Sequence, residues 1–203
     1  MSPSERAVRK KEVPPRERIL AAACELFYSR GIRSVSVDEI AAAAQTNKMT
    51  LYRHFDSKDQ LVAEYLRSLS RCWNAMADEA ERGHPGDPDG QLHAWIEEMG
   101  RNLCKAQDRG CPMANAAVEL PEKDHPARAV IQGYKTEQRE RLARLCRAAG
   151  YRNPEALADE IFLLFEGACV NIQSVGQRGP APRFTEMALG LLKSRGRQEQ
   201  KPG

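Results

Sequence analysis

The chain has 203 residues, a formal net charge of +3 and 41% hydrophobic residues, enough for one large domain or two small ones around a sizeable core. No run of about 18 apolar residues occurs, which excludes a membrane-spanning helix. The first 18 residues lack the apolar middle of a signal peptide, so a cytoplasmic location is expected. The six cysteines (Cys24, Cys72, Cys104, Cys111, Cys146, Cys169) show no C-x-x-C spacing and no close His/Cys cluster, which argues against a disulfide framework and a structural metal site. Most are expected to act as small core residues. No cofactor or metal is expected.

Charge is unevenly spread. Residues 1–58 hold 11 Lys/Arg against 7 Asp/Glu, whereas residues 59–203 hold 20 against 21. A polyanion would therefore be met at the N-terminal end. Residues 1–15, with Pro3, Pro14 and Pro15 among alternating charges, are expected to be a flexible basic arm. From Arg16 the pattern is helical, with Ile19, Ala22, Ala23, Leu26 and Phe27 recurring on one face until Gly31 caps it. Ser36 and Glu39 have the spacing of a capping box, with Val35 placed to pack on Ile40, and open a short helix over 37–44. A break at 45–47 precedes a third short helix, 48–54, with Leu51 and Phe55 inward. Ser57 and Gln60 repeat the box and start a long helix to about residue 82, with Leu61, Tyr65, Leu69, Cys72 and Met76 in register. After the breaker at 83–90, helices are expected at about 90–107, 112–120, 125–149, 154–176 and 183–196, with a disordered tail over 197–203. Nothing reads as a strand.

Three short helices with a tight turn between the second and third match a helix-turn-helix, in which the second helix braces the third so that its outer face can enter a major groove. Opposite Leu51 the third helix carries Met49 and Arg53, flanked by Thr50 and Tyr52, with Lys48 at its start. That mixture of cations, hydroxyls and one flexible apolar contact suits phosphates and base edges. Lys58 lies in the first turn of the following helix, where a phosphate would be favoured. His54 is left open between the outer face and packing beside Phe55.

Residues 35–41 (VSVDEIA) and 48–61 (KMTLYRHFDSKDQL), with 18–27 (RILAAACELF), resemble the DNA-binding domain of TetR-family transcriptional regulators over roughly residues 16–64. The resemblance implies an all-helical fold, a helix-turn-helix domain over 16–62 and a ligand-binding and dimerisation domain over 63–196. It implies phosphate contacts from Ser36, Tyr52 and Lys58 and base contacts from Lys48, Met49 and Thr50. Two positions depart from the family: Gln45, where glycine is common, and Met49, where a small residue is usual.

Two jobs remain for the C-terminal helices. Leu157, Ile161, Leu164, Phe165, Ala168 and Ile172, with Phe184, Met187, Ala188, Leu191 and Leu192, form apolar stripes expected at a homodimer interface. Trp73, Met76, Trp95, Met99, Met113 and Tyr134 are candidate walls of an effector pocket, with Asn115, Glu119 and Glu166 as polar anchors. Cys111, just before a helix start and near Arg109, raises the alternative of a thiol-based redox or electrophile sensor. A DNA-binding protein without a ligand is the other alternative. An enzyme is not expected: no P-loop or glycine-rich dinucleotide loop occurs, and no nucleophile motif surrounds Cys104 or Cys111. The expected partners are double-stranded operator DNA, a second copy of the chain and a small-molecule effector, with no membrane.

Overall fold

Residues 13–105 and 109–197 are described by the computed structural model, and among them every regular element is helical. Helix α1 (Pro15–Arg30) begins on Pro15, whose ring pre-sets the helical φ and whose missing N–H would have had no partner. It buries Ile19, Ala23 and Phe27, and Gly31 ends it at φ 90°, a region that glycine enters without strain. Helix α2 (Val37–Ala43) opens on a complete capping box: the Glu39 N–H donates to Ser36 Oγ at 3.2 Å, and the Ser36 N–H donates to Glu39 Oε2 at 2.8 Å. Helix α3 (Lys48–His54) starts at Asn47, whose side-chain oxygen accepts from the Thr50 N–H at 2.9 Å.

Helix α4 (Lys58–Arg82) runs for 25 residues, so the expected division at 62/63 falls inside one continuous helix. Ser57 caps it by accepting from the Gln60 N–H at 3.1 Å. Only that half of the second capping box forms, because the neutral amide of Gln60 is a weaker acceptor than a carboxylate. Helices α5 (Pro88–Lys105), α6 (Pro112–Glu119), α7 (Pro126–Ala148), α8 (Pro154–Val175) and α9 (Phe184–Ser194) follow near their expected positions. Four of these five begin on proline directly after the break, and a proline at that first position stops the preceding turn and starts the next helix.

Helix α7 packs along α8 and α4, α5 packs on α4 and α7, and α9 lies against α5 and α8. Ile19, Phe27, Ile40, Leu51, Phe55 and Leu61 join α1–α4 into one core that continues into the C-terminal helices. One contact braces the N-terminal part internally and another crosses its seam with the C-terminal helices. Arg16 lies over the Phe55 ring, 5.2 Å from its centroid, and His125 Nε2, at the start of α7, lies 3.4 Å from the Asp59 carboxylate at the start of α4.

Several expectations need correcting. Cys72 is exposed; the inward face of α4 turns there through Trp73, Met76 and Ala77. Cys111, Cys146 and Cys169 are buried and Cys24 packs half-buried against the core, so four of the six cysteines are core residues, as expected. His54 is exposed, which decides its open placement against packing beside Phe55. The C-terminal segment is ordered further than expected. Arg197 pairs with Tyr151 in an isolated bridge, contacts Asp89 at 2.7 Å and covers the Tyr151 ring at 5.2 Å. Residues 198–203 and residues 1–12 of the expected arm lie outside the described residues.

The turn between α2 and α3 places Gln45 at φ 53°, in the left-handed region. A side chain there strains against its own carbonyl by about 1–2 kcal/mol. Arg18 supports the turn by donating from Nε to Ala44 O at 3.1 Å. Gln45→Gly should therefore raise stability by about 1 kcal/mol, less a part for the greater entropy of glycine in the unfolded chain. Urea unfolding checks it; a loss of stability would mean that the Gln45 side chain makes a contact outweighing the strain.

Candidate functional site

The outer face of α3 is open. Leu51 is fully buried, which fixes the helix rotation, and Met49 is 77% exposed with Tyr52 at 43%. Lys48, Arg53 and His54 are exposed and Thr50 is half-buried. Lys48 Nζ lies 3.3 Å from Asp38 on α2, a contact between two exposed groups that water weakens. Ser36 is exposed, and its hydroxyl also meets Glu39 Oε2 at 2.7 Å. These bonds from the Ser36 backbone and side chain, helped by Arg30, pull the Glu39 carboxyl down to about 2.

Lys58 stands apart from the other cations. Its ammonium turns inward and donates to Ile32 O at 2.7 Å, 6.0 Å from the Phe27 ring centroid. Partial burial lowers its pKa against the opposing charges of Asp59, Glu119 and Glu39. Residue 32 belongs to the loop between α1 and α2, which is gripped from a second side. The Arg33 N–H donates to Glu119 Oε2 at 3.1 Å and Arg33 Nε donates to Glu119 O at 2.5 Å. Arg33 also pairs with Glu122 at 2.6 Å, and Arg109 lies 3.7 Å from Glu119. The last residue of α6 thus holds the loop that leads into α2 and α3.

A cavity of about 590 Å³ lies among α1, α4, α5, α7 and α8. Trp73, Trp95, Met99, Tyr134 and Glu166 line it, as expected, together with Leu142, Phe162 and Phe165. Its lining reaches the surface at the exposed Glu25, Ser29 and Lys105. Trp73 and Tyr134 meet at 5.1 Å between ring centroids. Burial raises the phenol pKa values of Tyr65 and Tyr134, so both are neutral donors. Two buried polar atoms on the lining, Trp95 Nε1 and Gln138 Oε1, have no hydrogen-bond partner, although Gln138 Nε2 donates to Asn74 Oδ1 at 2.6 Å.

Four expected pocket residues are elsewhere. Met113 is fully buried in the core beneath α6, and Met76 packs half-buried against the core, outside the lining. Asn115 is taken up by the backbone, donating from Nδ2 to Arg109 O at 2.7 Å, and Glu119 by Arg33 and Arg109. Sharing a face of α6 did bring Asn115 and Glu119 together, but against α1 and a separate small crevice.

One wall of the cavity is polar. Cys111 caps α6, and its sulfur lies 3.8 Å from Lys135 Nζ. Lys135 forms a close ion pair with Glu166 and stands over the Phe162 ring at 5.8 Å. The Cys169 side chain interacts with Cys111 in the direction that lowers the Cys111 pKa and raises that of Cys169. The Lys135 charge and the Ala114 N–H act in the same direction on Cys111, while its burial and the Glu166 charge oppose them.

The candidate interface residues divide. Leu157, Ile161, Ala168, Ile172, Phe184, Ala188 and Leu192 are buried inside the protomer, whereas Leu164 and Leu191 are half-buried and Phe165 faces the cavity. Of the expected set Met187 is exposed, at 45%. The open apolar stripe of α8 is instead Leu163, Gly167 and Val170, at i, i+4 and i+7, with Leu163 68% and Val170 54% exposed. Helix α8 is apolar on both sides, so periodicity alone could not say which stripe faces inward. Lys135, Gln138 and Cys169 were also missed. The available signal for the first two was a cation and an amide on the α7 face that carries Ile131, Tyr134 and Leu142.

Residues 19–65 match the family model for bacterial regulatory proteins of the tetR family. The chain is 30% identical over 125 residues to an HTH-type transcriptional repressor of Mycobacterium tuberculosis (strain ATCC 25618 / H37Rv), a match covering 62% of this chain and 63% of the relative. The match thus spans less than two thirds of that relative's length. It is 24% identical to the HTH-type transcriptional repressor DhaR of Mycobacterium sp. (strain GP1), over 88% of this chain and 92% of the relative. The fold is similar to the crystal structure of a TetR-family transcriptional regulator from Streptomyces coelicolor, with a TM-score of 0.82, 29% identity, and coverage of 88% of this chain and 94% of that one.

The capping box makes a pH-dependent prediction. Because the Glu39 carboxyl is depressed in the fold, the stability it contributes is present above the ordinary carboxylate range and is lost as pH falls toward about 2. Ser36→Ala keeps the backbone bond but removes the hydroxyl, so the Glu39 pKa should rise part of the way back. The stability gap between wild type and variant should narrow on acidification over that window. Carboxyl titration by NMR and urea unfolding across the window check both; an unmoved Glu39 pKa would show that the hydroxyl bond does not form in solution.

Proposed function

Because the chain belongs to the TetR family of transcriptional regulators, we propose that it is a repressor that binds a near-palindromic operator as a homodimer and releases it when a small apolar or amphipathic effector fills the cavity. The observation that carries the effector reading is the cavity itself. Its aromatic walls leave one buried donor, Trp95 Nε1, and one buried acceptor, Gln138 Oε1, without partners. Each such group costs about 1–3 kcal/mol while unsatisfied, and a ligand supplying one acceptor and one donor recovers that cost. A DNA-binding protein without an effector would have no use for such a space.

On the DNA side, we assign base contacts to Lys48, Met49 and Thr50 and phosphate contacts to Ser36, Tyr52, Arg53 and Lys58. Met49 and Tyr52 are exposed on the same short helix, and the buried Leu51 holds that face outward. An ammonium has three donors, so the Lys58 bond to Ile32 O leaves two for a phosphate. For the dimer we favour the open α8 stripe of Leu163, Gly167 and Val170 with Met187 of α9. A Cβ at Gly167 or Gly190 would meet nothing within 4 Å, so the backbone of both helices is bare to a neighbour. Two recognition helices then face half-sites about 34–36 Å apart.

Release needs an element that feels the cavity and moves the recognition helix, and α6 has both contacts. Its cap, Cys111, and first residue, Pro112, line the cavity, and its last residue, Glu119, holds Arg33. An effector acts only through its different affinity for the two states. The proposed states differ in where α6 holds the loop at Ile32 and Arg33.

Lys58→Ala should weaken binding by a similar factor on every DNA sequence and lower the slope of log affinity against log salt by about 1. Met49→Gly should instead change the ranking of single-base operator variants. An unchanged salt slope would reduce Lys58 to a strut for Ile32, and an unchanged ranking would take Met49 off the groove floor. Leu163→Glu should convert the dimer to a folded monomer in sedimentation velocity, because the residue is 68% exposed in the protomer. A dimer that survives it assembles through another face.

A further inference from the structure

Three of the cavity-lining residues, Cys111, Lys135 and Glu166, form a chain of polar contacts inside walls that are otherwise largely aromatic and aliphatic. A fourth, Cys169, interacts through its side chain with Cys111 in the direction that favours the Cys111 anion. One sulfur thus meets the ammonium of α7 at 3.8 Å and the Cys169 side chain of α8, both acting to favour its anion. Such neighbours stabilise the thiolate, which is the nucleophilic form. A sulfur kept only for packing would need neither of them, as Cys146 shows: it is fully buried, and burial pushes its thiol up to about 12.

We propose that the cavity captures soft, apolar α,β-unsaturated carbonyl compounds covalently, with the Cys111 sulfur as nucleophile and the Lys135 ammonium as proton donor. The sulfur lone pair forms a bond to the β-carbon. The carbon–carbon π pair shifts so that the electrons come to rest on the carbonyl oxygen, and the ammonium protonates that enolate. The enol then reverts to the ketone, and Lys135 regains its proton from water. Thiolate, acceptor and one proton give one thioether, with no oxidant consumed. Cys169 positions and polarises the sulfur without taking part in the bond. The aromatic walls favour an apolar acceptor over a hydrophilic one, because transfer from water into such a site is favourable only for apolar surface.

Addition also removes the negative charge that Lys135 faces. The cap of α6 is then changed at the end opposite to Glu119. On the proposed function above, on which this consequence rests, the adduct would act as the effector.

The test uses the full-length protein carrying Cys72→Ser and Cys104→Ser, which removes the two exposed cysteines. N-phenylmaleimide is the probe, iodoacetamide the hydrophilic control, and intact mass with peptide mapping the readout. Cys111 should be modified at least tenfold faster than N-acetylcysteine at pH 7, with a rate midpoint at lower pH than that of the free thiol. Iodoacetamide should show a smaller advantage. Lys135→Met paired with Glu166→Gln, which leaves no unpaired charge, should slow the phenylmaleimide reaction at least tenfold and move the midpoint upward. Circular dichroism establishes that this variant is folded. A Cys111 rate no faster than the free thiol would overturn the proposal, as would a rate indifferent to Lys135. So would preferential formation of a Cys111–Cys169 disulfide with peroxide while phenylmaleimide fails to add. Operator affinity is measured on the same adduct. Modification of Cys111 with unchanged affinity would leave the capture standing and refute the regulatory reading.

Discussion

The Arg33–Glu119 contact sets how the two parts of the molecule meet. Glu119 accepts from the Arg33 backbone and side chain at one end of the eight-residue helix α6, and Lys58 holds the neighbouring Ile32 carbonyl from the start of α4. The loop between α1 and α2 is thus fixed from both sides. The Gly31 conformation belongs to this constraint: a Cβ there would sit 3.1 Å from the Glu119 carboxylate and at a φ that side chains avoid. On the proposed function, such a short helix, gripped at its last turn and capped at its first by a cavity residue, would act as a strut. Its displacement at one end would be felt at the other, because packed interiors have little compressibility.

The DNA-binding part was legible because its signals are local. The capping box at Ser36 and Glu39, the inward Leu51 and Phe55, and the cap at Ser57 each act within a few residues, and the structure contains them. Proline and glycine breaks likewise set the C-terminal helices to within a few residues of their expected ends. What stayed hidden depends on which face of a helix another helix covers. Helix α8 presents Leu163 and Val170 outward and Ile161 and Ile172 inward, and both stripes are apolar. Met113 read as a pocket wall because its residue type allows it, yet α6 turns it fully into the core. The meeting of Cys111 with Lys135 and Cys169 joins positions 24 and 58 residues apart, which no local pattern encodes.

The cavity and the recognition face use polar groups in opposite ways. On α3 the cations are exposed, where water screens them and a polyanion can replace that water with a gain in counterion entropy. In the cavity the unpaired Trp95 and Gln138 atoms and the Lys135–Glu166 pair sit against aromatic walls, where each polar atom is costly to leave unmet. On the proposed function, the exposed face would meet a charged, extended partner and the cavity a small, largely apolar one. On that same reading, the strut between them would couple the two bindings.

That claim is tested most directly by a double-mutant cycle on operator affinity. Leu69→Trp, which fills part of the cavity from α4, stands in for an effector, and Arg33→Met paired with Glu119→Ala cuts the strut. Operator DNA selected from random fragments supplies the ligand, and folded dimer is verified for all four proteins. The account predicts that Leu69→Trp weakens operator binding about tenfold or more in the intact background and has little effect once Arg33 and Glu119 are replaced, a coupling of at least about 1 kcal/mol. Strictly additive effects would contradict it, because the cavity would then reach the recognition helix by some route other than α6.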